Sequence, residues 1–291
     1  MKQILNEFSA SFEEFAKTLF EHNKNNFENL YSAMQYSFLG GGKRLRPFIL
    51  NEFYKLFGGD GEGLMNFCAA LEMIHVYSLI HDDLPSMDND DFRRGKPSCH
   101  KAYGEDIALL AGDGLLTYAF EIAANTKNIP SDRVIKAISY LASSAGKDGM
   151  IGGQVIDLES EDKPREICLV LEMYKNKTGK LLAAAASIGT ILAGGNDDEI
   201  ALAEDFAYNL GIAFQIKDDI LDIVGDSKLL GKPVGSDSKN EKSTYVSIVG
   251  LEKAKEDVKR YTDKAVSSIE RFNEKAKTLT SLANYLISRD Y

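Results

Sequence analysis

Ile4, Phe8, Phe12, Phe15 and Leu19 step along the chain by three or four positions, which places their side chains on one stripe of a helix. The same rhythm, or an unbroken apolar run, recurs over 46–57, 64–81, 106–124, 133–145, 167–174, 181–192, 199–221 and 251–272. Between these stretches stand Gly40-Gly41-Gly42, Gly58-Gly59-Asp60-Gly61, Pro85, Pro97, Pro130, Pro164, Gly194-Gly195 and Gly231 through Gly235. Glycine and proline at such places are the punctuation expected between helices. No stretch alternates apolar and polar positions with period two, so no sheet is predicted. No Ser/Gly-rich linker interrupts the chain either. Residues 1–291 therefore read as a single domain, a large all-α bundle.

Two runs, Ala108-Leu109-Leu110-Ala111 and Leu181-Leu182-Ala183-Ala184-Ala185-Ala186, are apolar on more than one face. Helices of that kind belong at the centre of a bundle, where facing side chains can also line a ligand cavity. Composition adds limits. With 44% hydrophobic and 27% charged residues the chain has globular content, which excludes disordered and low-complexity classes. A formal net charge of −10 removes the general attraction of a basic surface for nucleic acid. No apolar run is read as reaching the roughly 20 residues that span a bilayer. The start, Met1-Lys2-Gln3-Ile4-Leu5-Asn6-Glu7, turns acidic too early for a signal peptide. A soluble, cytoplasmic protein with no membrane partner is expected. The three cysteines, Cys68, Cys99 and Cys168, share no close spacing, so disulfide and zinc frameworks are set aside in favour of reduced thiols, mostly buried.

The chemistry lies in two acidic clusters. His81-Asp82-Asp83-Leu84-Pro85-Ser86-Met87-Asp88-Asn89-Asp90-Asp91 closes an apolar helix. Consecutive aspartates are locally unfavourable at a helix C-terminus, which already carries partial negative charge. Pro85 stops the helix, and Asp88 can then fold back towards Asp82. Crowded carboxylates take up protons unless a cation neutralises them, and oxygen-only donors favour Mg²⁺ or Ca²⁺. A calcium EF-hand fails: counted from Asp88, the sixth and twelfth positions are Arg93 and Cys99, not glycine and glutamate. Far downstream, Gln215-Ile216-Lys217-Asp218-Asp219-Ile220-Leu221-Asp222 repeats the design. Asp218 and Asp222, four apart, share a helix face, where like charges repel unless a cation bridges them. One acidic loop is more often a solvated turn. A pair facing each other across a core suggests a diphosphate held through Mg²⁺.

Basic residues complement them. Gly40-Gly41-Gly42-Lys43-Arg44-Leu45-Arg46-Pro47 sets three cations behind three glycines, and lysine and arginine bind phosphate as point charge and fork. It is no nucleotide P-loop, because Ser37 stands where the first glycine belongs and no Ser or Thr follows Lys43. Arg93-Arg94-Gly95-Lys96, Lys177-Thr178-Gly179-Lys180 and Gly231-Lys232-Pro233 with Lys242 are further clusters. Singly, each reads as an exposed charged turn. Together they point to more than one diphosphate.

In order and in residues these motifs resemble those of the trans-prenyltransferases, the polyprenyl synthetase family that makes isoprenyl diphosphates. Gly42 through Pro47 is similar to the family's isopentenyl diphosphate motif, and His81 through Asp88 with Arg93-Arg94-Gly95 to its first aspartate-rich motif. Gly152-Gly153-Gln154-Val155-Ile156-Asp157 and Lys177-Thr178-Gly179 follow, and Gln215 through Asp222 is similar to the second aspartate-rich motif. The resemblance implies one helical bundle of the isoprenoid synthase type around a central active-site cavity. It also implies Asp82 and Asp88 as Mg²⁺ ligands with Asp83 in support, and Asp218 as a ligand with Asp222 and Gln215 assisting, for three ions per site. Arg93, Lys177, Thr178, Gln215 and Lys232 would contact the allylic diphosphate; Lys43, Arg46, His75 and Arg94 the isopentenyl diphosphate. His75 alone reads equally as a core histidine, and Asp157 and Lys242 are supporting candidates. Phe92 and Ser98 depart from the family's usual leucine and threonine.

The implied reaction ionises an allylic diphosphate, adds the double bond of isopentenyl diphosphate to the cation and loses a proton, the released diphosphate being the base. Apolar walls exclude water. Tyr77 lies five residues before Asp82, about 7.5 Å along a helix, where a ring would floor the pocket; from helical position alone it reads equally as core. In this family the position governs product length, and an aromatic followed by the small Ser78 resembles bacterial farnesyl diphosphate synthases. The expected substrates are isopentenyl, dimethylallyl and geranyl diphosphates, and the expected assembly is a homodimer. Geranylgeranyl diphosphate synthesis, a terpene cyclase and a non-catalytic subunit remain the alternatives.

Overall fold

The structure is a computed structural model that describes residues 1–21, 27–60, 63–160, 166–224 and 244–288. Its helices are α1 (Lys2–Thr18), α2 (Glu28–Phe38), α3 (Leu45–Leu56), α4 (Leu64–Asp82), α5 (Cys99–Tyr103), α6 (Glu105–Ala124), α7 (Ser131–Ala145), α8 (Met150–Glu159), α9 (Ile167–Tyr174), α10 (Lys180–Ala193), α11 (Asp197–Val224), α12 (Tyr245–Val249), α13 (Leu251–Ile269) and α14 (Lys277–Ile287). A π turn, Lys175–Gly179, joins α9 to α10. The prediction of no sheet needs one correction: β1 (Phe92–Arg93) and β2 (Lys96–Pro97) form a minimal antiparallel hairpin. Two-residue strands carry no legible alternation. Its turn residues, Arg94 and Gly95, both have positive φ (53° and 74°), as a type I′ hairpin requires.

The chain divides into two compact units. One comprises Lys2–Asn51 and Gly61–Ile138; the other comprises Met1, Glu52–Asp60 and Ser139–Tyr291. In the first unit α4 packs along α6, and α2 lies against both. The α1 stripe is real, with Phe12 wholly buried. Its buried face is centred on Leu5, Phe12 and Ala16, so Ile4 points outward.

Arg44 ties this unit together from inside. Its side chain is fully buried, donates from Nε to Glu13 Oε1 (2.7 Å), from Nη1 to Glu72 Oε1 (2.8 Å) and from Nη2 to the Phe38 carbonyl (2.7 Å), and lies over the Phe12 and Phe38 rings. One guanidinium thus joins α1, α2 and α4. Its φ of 46° is costly for a residue with a side chain, and these ion pairs hold it there. Of the three cations behind the glycines, the resemblance implies only Lys43 and Arg46 as phosphate contacts, and Arg44 is accounted for by these partners. Arg44 belongs to the core.

In the second unit α11 packs along α13 and α10. Helix α11 begins with a reciprocal cap: the Asn196 side chain accepts from the Glu199 amide (3.0 Å), and the Glu199 carboxylate accepts from the Asn196 amide (2.8 Å). This is the capping-box arrangement, with Asp197, Asp198 and Glu199 favourably set at the positive helix end. Leu181 through Leu192 of α10 is buried without interruption, as its all-round apolar pattern predicts. Val170, Met173, Tyr174, Ile216, Ile220, Tyr245, Val246, Ala254 and Val258 close a core between α9, α11, α12 and α13.

One expectation fails. Helices α4 and α6 are long and apolar enough to cross a membrane by length and composition, contrary to the reading of the runs. Helix α4 is apolar because most of it is core, whereas α6 leaves Leu109 and Leu110 exposed. The thiols are mostly buried, as expected: Cys68 and Cys99 lie inside and Cys168 is exposed.

Removing Glu72 strands the Arg44 charge in the interior. Glu72→Leu is expected to cost about 3–5 kcal/mol, and Glu13→Ala, at a partly exposed pair, about 1 kcal/mol or less. Urea unfolding of both variants checks the order, and equal losses would contradict it.

Candidate active site

Helix α4 runs out at Asp82. Asp83 still donates its amide to the Leu79 carbonyl (3.1 Å), Pro85 prevents continuation, and the Asp88 amide turns back to the Asp82 carbonyl (2.8 Å). The fold-back expected of Asp88 is present. Asp82 is half-buried and Asp88 exposed. Asp83 is buried and receives Arg93, which donates from Nε to both carboxylate oxygens (2.8 Å each) and from Nη2 to Oδ1 (2.5 Å). Burial holds the Asp83 carboxyl above the usual carboxylate range, with the Arg93 hydrogen bonds pulling it back. The β1–β2 hairpin delivers Arg93 to Asp83. A cavity of about 40 Å³ lies beside this pair, lined in part by Asp83, Arg93, Arg94, Ser98 and Cys99. That is room for a water or two, not for a substrate. Phe92 is exposed, so its departure from leucine alters no packing; Ser98 is buried, with Oγ 3.0 Å from His100 Nδ1.

The residues assigned to isopentenyl diphosphate lie in the same unit. Arg94 donates to the Gly41 carbonyl, and its guanidinium lies where a side chain at residue 42 would go. Gly42 also has a φ of 130°, a conformation that requires glycine there. Arg46 is half-buried, and its Nε is buried with no hydrogen-bond partner among the described residues. An unanswered guanidinium N–H suits an anion still to come. Lys43 is exposed. Burial, reinforced by Arg46, Arg94, Arg93 and Arg44, holds the half-buried His75 well below the ordinary histidine range. The neutral imidazole that this favours still has one N–H to donate. The structure brings Arg46, His75 and Arg94 together; it sets Arg44 apart.

Tyr77 is buried, and its hydroxyl finds no partner among the described residues. Burial, with the Asp82 charge adding, pushes that hydroxyl up to about 12. Its ring stands edge-on to His81, with centroids 5.7 Å apart, and His81 Nε2 lies 3.1 Å from the Leu109 carbonyl. Ser78 donates back to the His75 carbonyl (2.8 Å).

In the other unit, Asp218, Asp219 and Asp222 follow one another on α11, Asp218 half-buried and the other two buried. Asp219 Oδ2 accepts from the Tyr174 hydroxyl (2.5 Å) and from the Tyr245 amide (2.8 Å). The Tyr245 hydroxyl donates in turn to Asp257 (2.8 Å), which Arg260 also meets (2.8 Å). Sequence reasoning missed Tyr174 and Tyr245, since an aromatic on an apolar stripe announces only packing. Lys177 Nζ donates to Asp157 (2.7 Å), the pairing expected of a supporting carboxylate. Gly153 abuts the Lys177 amide so closely that a methyl would lie 2.2 Å from it. Lys177 and Thr178 are half-buried, as is Gln215. The surface turn expected at 177–180 is instead a π turn inside a continuous helix. Lys232 and Lys242 lie outside the described residues.

Among the described residues no three or more His, Cys, Asp or Glu side chains converge on a point that would hold a metal by themselves. Hard oxygen donors, few at each cluster, fit Mg²⁺, which keeps water and phosphate oxygens in its shell. The donor chemistry suits that ion.

An all-α chain with two such aspartate motifs and a separate arginine–histidine group is built to handle diphosphates. The polyprenyl synthetase model matches residues 27–285, and the chain belongs to that family. It is a trans-prenyltransferase of isoprenyl diphosphates, and enzymes of this kind are generally Mg²⁺-dependent. It is 42% identical over 264 residues to a farnesyl diphosphate synthase of Geobacillus stearothermophilus, covering 90% of this chain and 89% of that one. It is 44% identical over 263 residues to a geranylgeranyl diphosphate synthase of Cyanophora paradoxa, covering 90% and 88%. An FPP/GFPP synthase crystal structure from Zymomonas mobilis superposes with a TM-score of 0.89 at 36% identity, over 99% of this chain and 98% of that one.

The depressed His75 sets a pH dependence. The unfolded chain protonates it near 6.5, while the folded chain stays neutral to lower pH. Below that value the unfolded state binds more protons, so stability falls as pH falls. His75→Gln is expected to flatten the thermal midpoint between about pH 5 and pH 7. Matching slopes for the two proteins would contradict a neutral His75.

Proposed function

We propose that the chain is a farnesyl diphosphate synthase, a cytoplasmic homodimer that condenses isopentenyl diphosphate with dimethylallyl and then geranyl diphosphate. The observation that carries this product length is Tyr77, a buried ring wedged edge-on against His81 about 7.5 Å before Asp82 along α4. A bulky ring at that depth limits how far a growing tail can extend. The exposed Leu109 and Leu110 on α6 support an apolar contact with a second copy. A geranylgeranyl product is the second reading, favoured by the identity to the Cyanophora synthase.

In this reading Asp82 and Asp88 at the first motif, and Asp218 and Asp222 at the second, would hold Mg²⁺, three ions in all. Mg²⁺ there would supply electrostatic stabilisation of the charge on a departing diphosphate. Arg93, Lys177, Thr178, Gln215 and Lys232 grip the allylic diphosphate, and Arg93 also pairs with Asp83. Lys43, Arg46, Arg94 and neutral His75 hold isopentenyl diphosphate so that its double bond attacks the allylic carbon as the C–O bond opens. The released diphosphate takes the proton, so no protein nucleophile is needed. Apolar side chains keep water from the cation.

Incubation with dimethylallyl and isopentenyl diphosphates should give mainly a C15 product, and EDTA should abolish turnover. A dominant C20 product would replace the first reading with the second. Tyr77→Ala should lengthen the product; an unchanged profile would remove the ring as the floor. Alanine at both Asp82 and Asp218 should lower kcat on the order of 10²-fold or more. Full activity in that double variant would end the proposal.

A further inference from the structure

Helix α9 does not stop at Tyr174. It widens into the π turn, with the Lys180 amide bonded back to the Lys175 carbonyl, and continues as α10. A π turn sets residues five apart on the same side, and here those residues are Lys175 and Lys180. Both ammonium groups lie over one ring, Tyr208 of α11, at 5.1 and 5.5 Å from its centroid. Gly179, the last residue of the turn, lies against the same ring: a methyl there would sit 3.3 Å from Tyr208 Cδ1. The Tyr208 hydroxyl meets Glu204, one turn earlier on α11. On another side α8 presses in with Gly153 at the Lys177 amide and Asp157 at the Lys177 ammonium.

We infer that Tyr208 is a positioning residue that holds the π turn open and so aims Lys177 and Thr178 at their anion. The inference rests on the reading of those two residues as allylic-diphosphate contacts. A cation from each end of the turn, held on one ring, fixes the separation of the ends. Without the ring the wide turn can relax to ordinary α-helix. One residue of slippage rotates a side chain by about 100° around the axis, enough to take Lys177 away from Asp157 and from any phosphate. Sequence pattern does not mark this role, since Tyr208 stands on a half-buried helical face like any packing aromatic.

Tyr208→Leu removes the ring face, and Tyr208→Phe keeps it. In Tyr208→Leu, KM for dimethylallyl diphosphate should rise about tenfold or more while KM for isopentenyl diphosphate stays at the wild-type value. Tyr208→Phe should behave as wild type. Without substrate, hydrogen–deuterium exchange in peptides covering 174–180 should accelerate in the leucine variant only. If leucine prevents folding, Tyr208→Met, similar in bulk but lacking a ring, takes its place. Equal rises in both KM values, failure of phenylalanine to restore them, or unchanged exchange would overturn the inference. Lys177→Met separates the two levels. If it raises the allylic KM and Tyr208→Leu does not, the positioning role fails and the site stands. If Lys177→Met changes nothing, the site assignment fails and the inference goes with it.

Discussion

Two carboxylates on neighbouring residues repel each other, and the rest of the site depends on where the chain puts the second. At both motifs the answer is the same in kind. Asp83 and Asp219 are buried and bound by protein groups, one by a forked guanidinium and the other by a phenol and a backbone amide. A buried carboxylate without such partners would destabilise the fold by several kcal/mol. The elements that supply them are thereby fixed in place. The β1–β2 hairpin exists to deliver Arg93, and the start of α12 is set by the Tyr245 amide. With its neighbour anchored, the first aspartate of each pair inherits a defined backbone position.

The cations are sorted by a similar rule. Arg44 and Arg46 are two residues apart, yet Arg44 is saturated by two glutamates and a carbonyl while Arg46 keeps an unanswered Nε. A saturated guanidinium is a structural cross-link; an unsaturated buried one is a receptor. His75 lies within the field of both; burial suppresses its charge, and four arginines add to the effect. A further cation there would add attraction for anions, but at the expense of the fold. A neutral ring still donates one hydrogen bond.

Much of this was legible before any coordinates. Helical periodicity gives the all-α class because burial on one face leaves a rhythm of three and four, and the aspartate motifs stand out because acidic runs beside apolar helices are unfavourable. The fold-back at Asp88 follows from Pro85, and the buried α10 follows from its lack of a polar face. The hairpin was not legible, since two-residue strands have no period, although Arg94-Gly95 is a turn signal. The fate of Arg44 was not legible either. Charge looks the same in sequence whether it meets Glu72 inside or solvent outside. Tyr174 and Tyr245 act through hydroxyl and amide groups that no spacing rule records, and the pairing of Arg93 with Asp83, ten positions back across an irregular loop, leaves no periodic signal either.

The π turn between α9 and α10 has a consequence for how this gene tolerates change. It amounts to one extra amino acid threaded into an otherwise regular rod. Loss of a single codon anywhere from 175 to 179 would regularise the rod and look harmless by any propensity scale. It would leave the tightly enclosed alanines of 183–186 in register with their neighbours, yet erase the widened turn that carries Lys177 and Thr178. In this segment, reading-frame-preserving deletions should be purged more stringently than most amino-acid replacements.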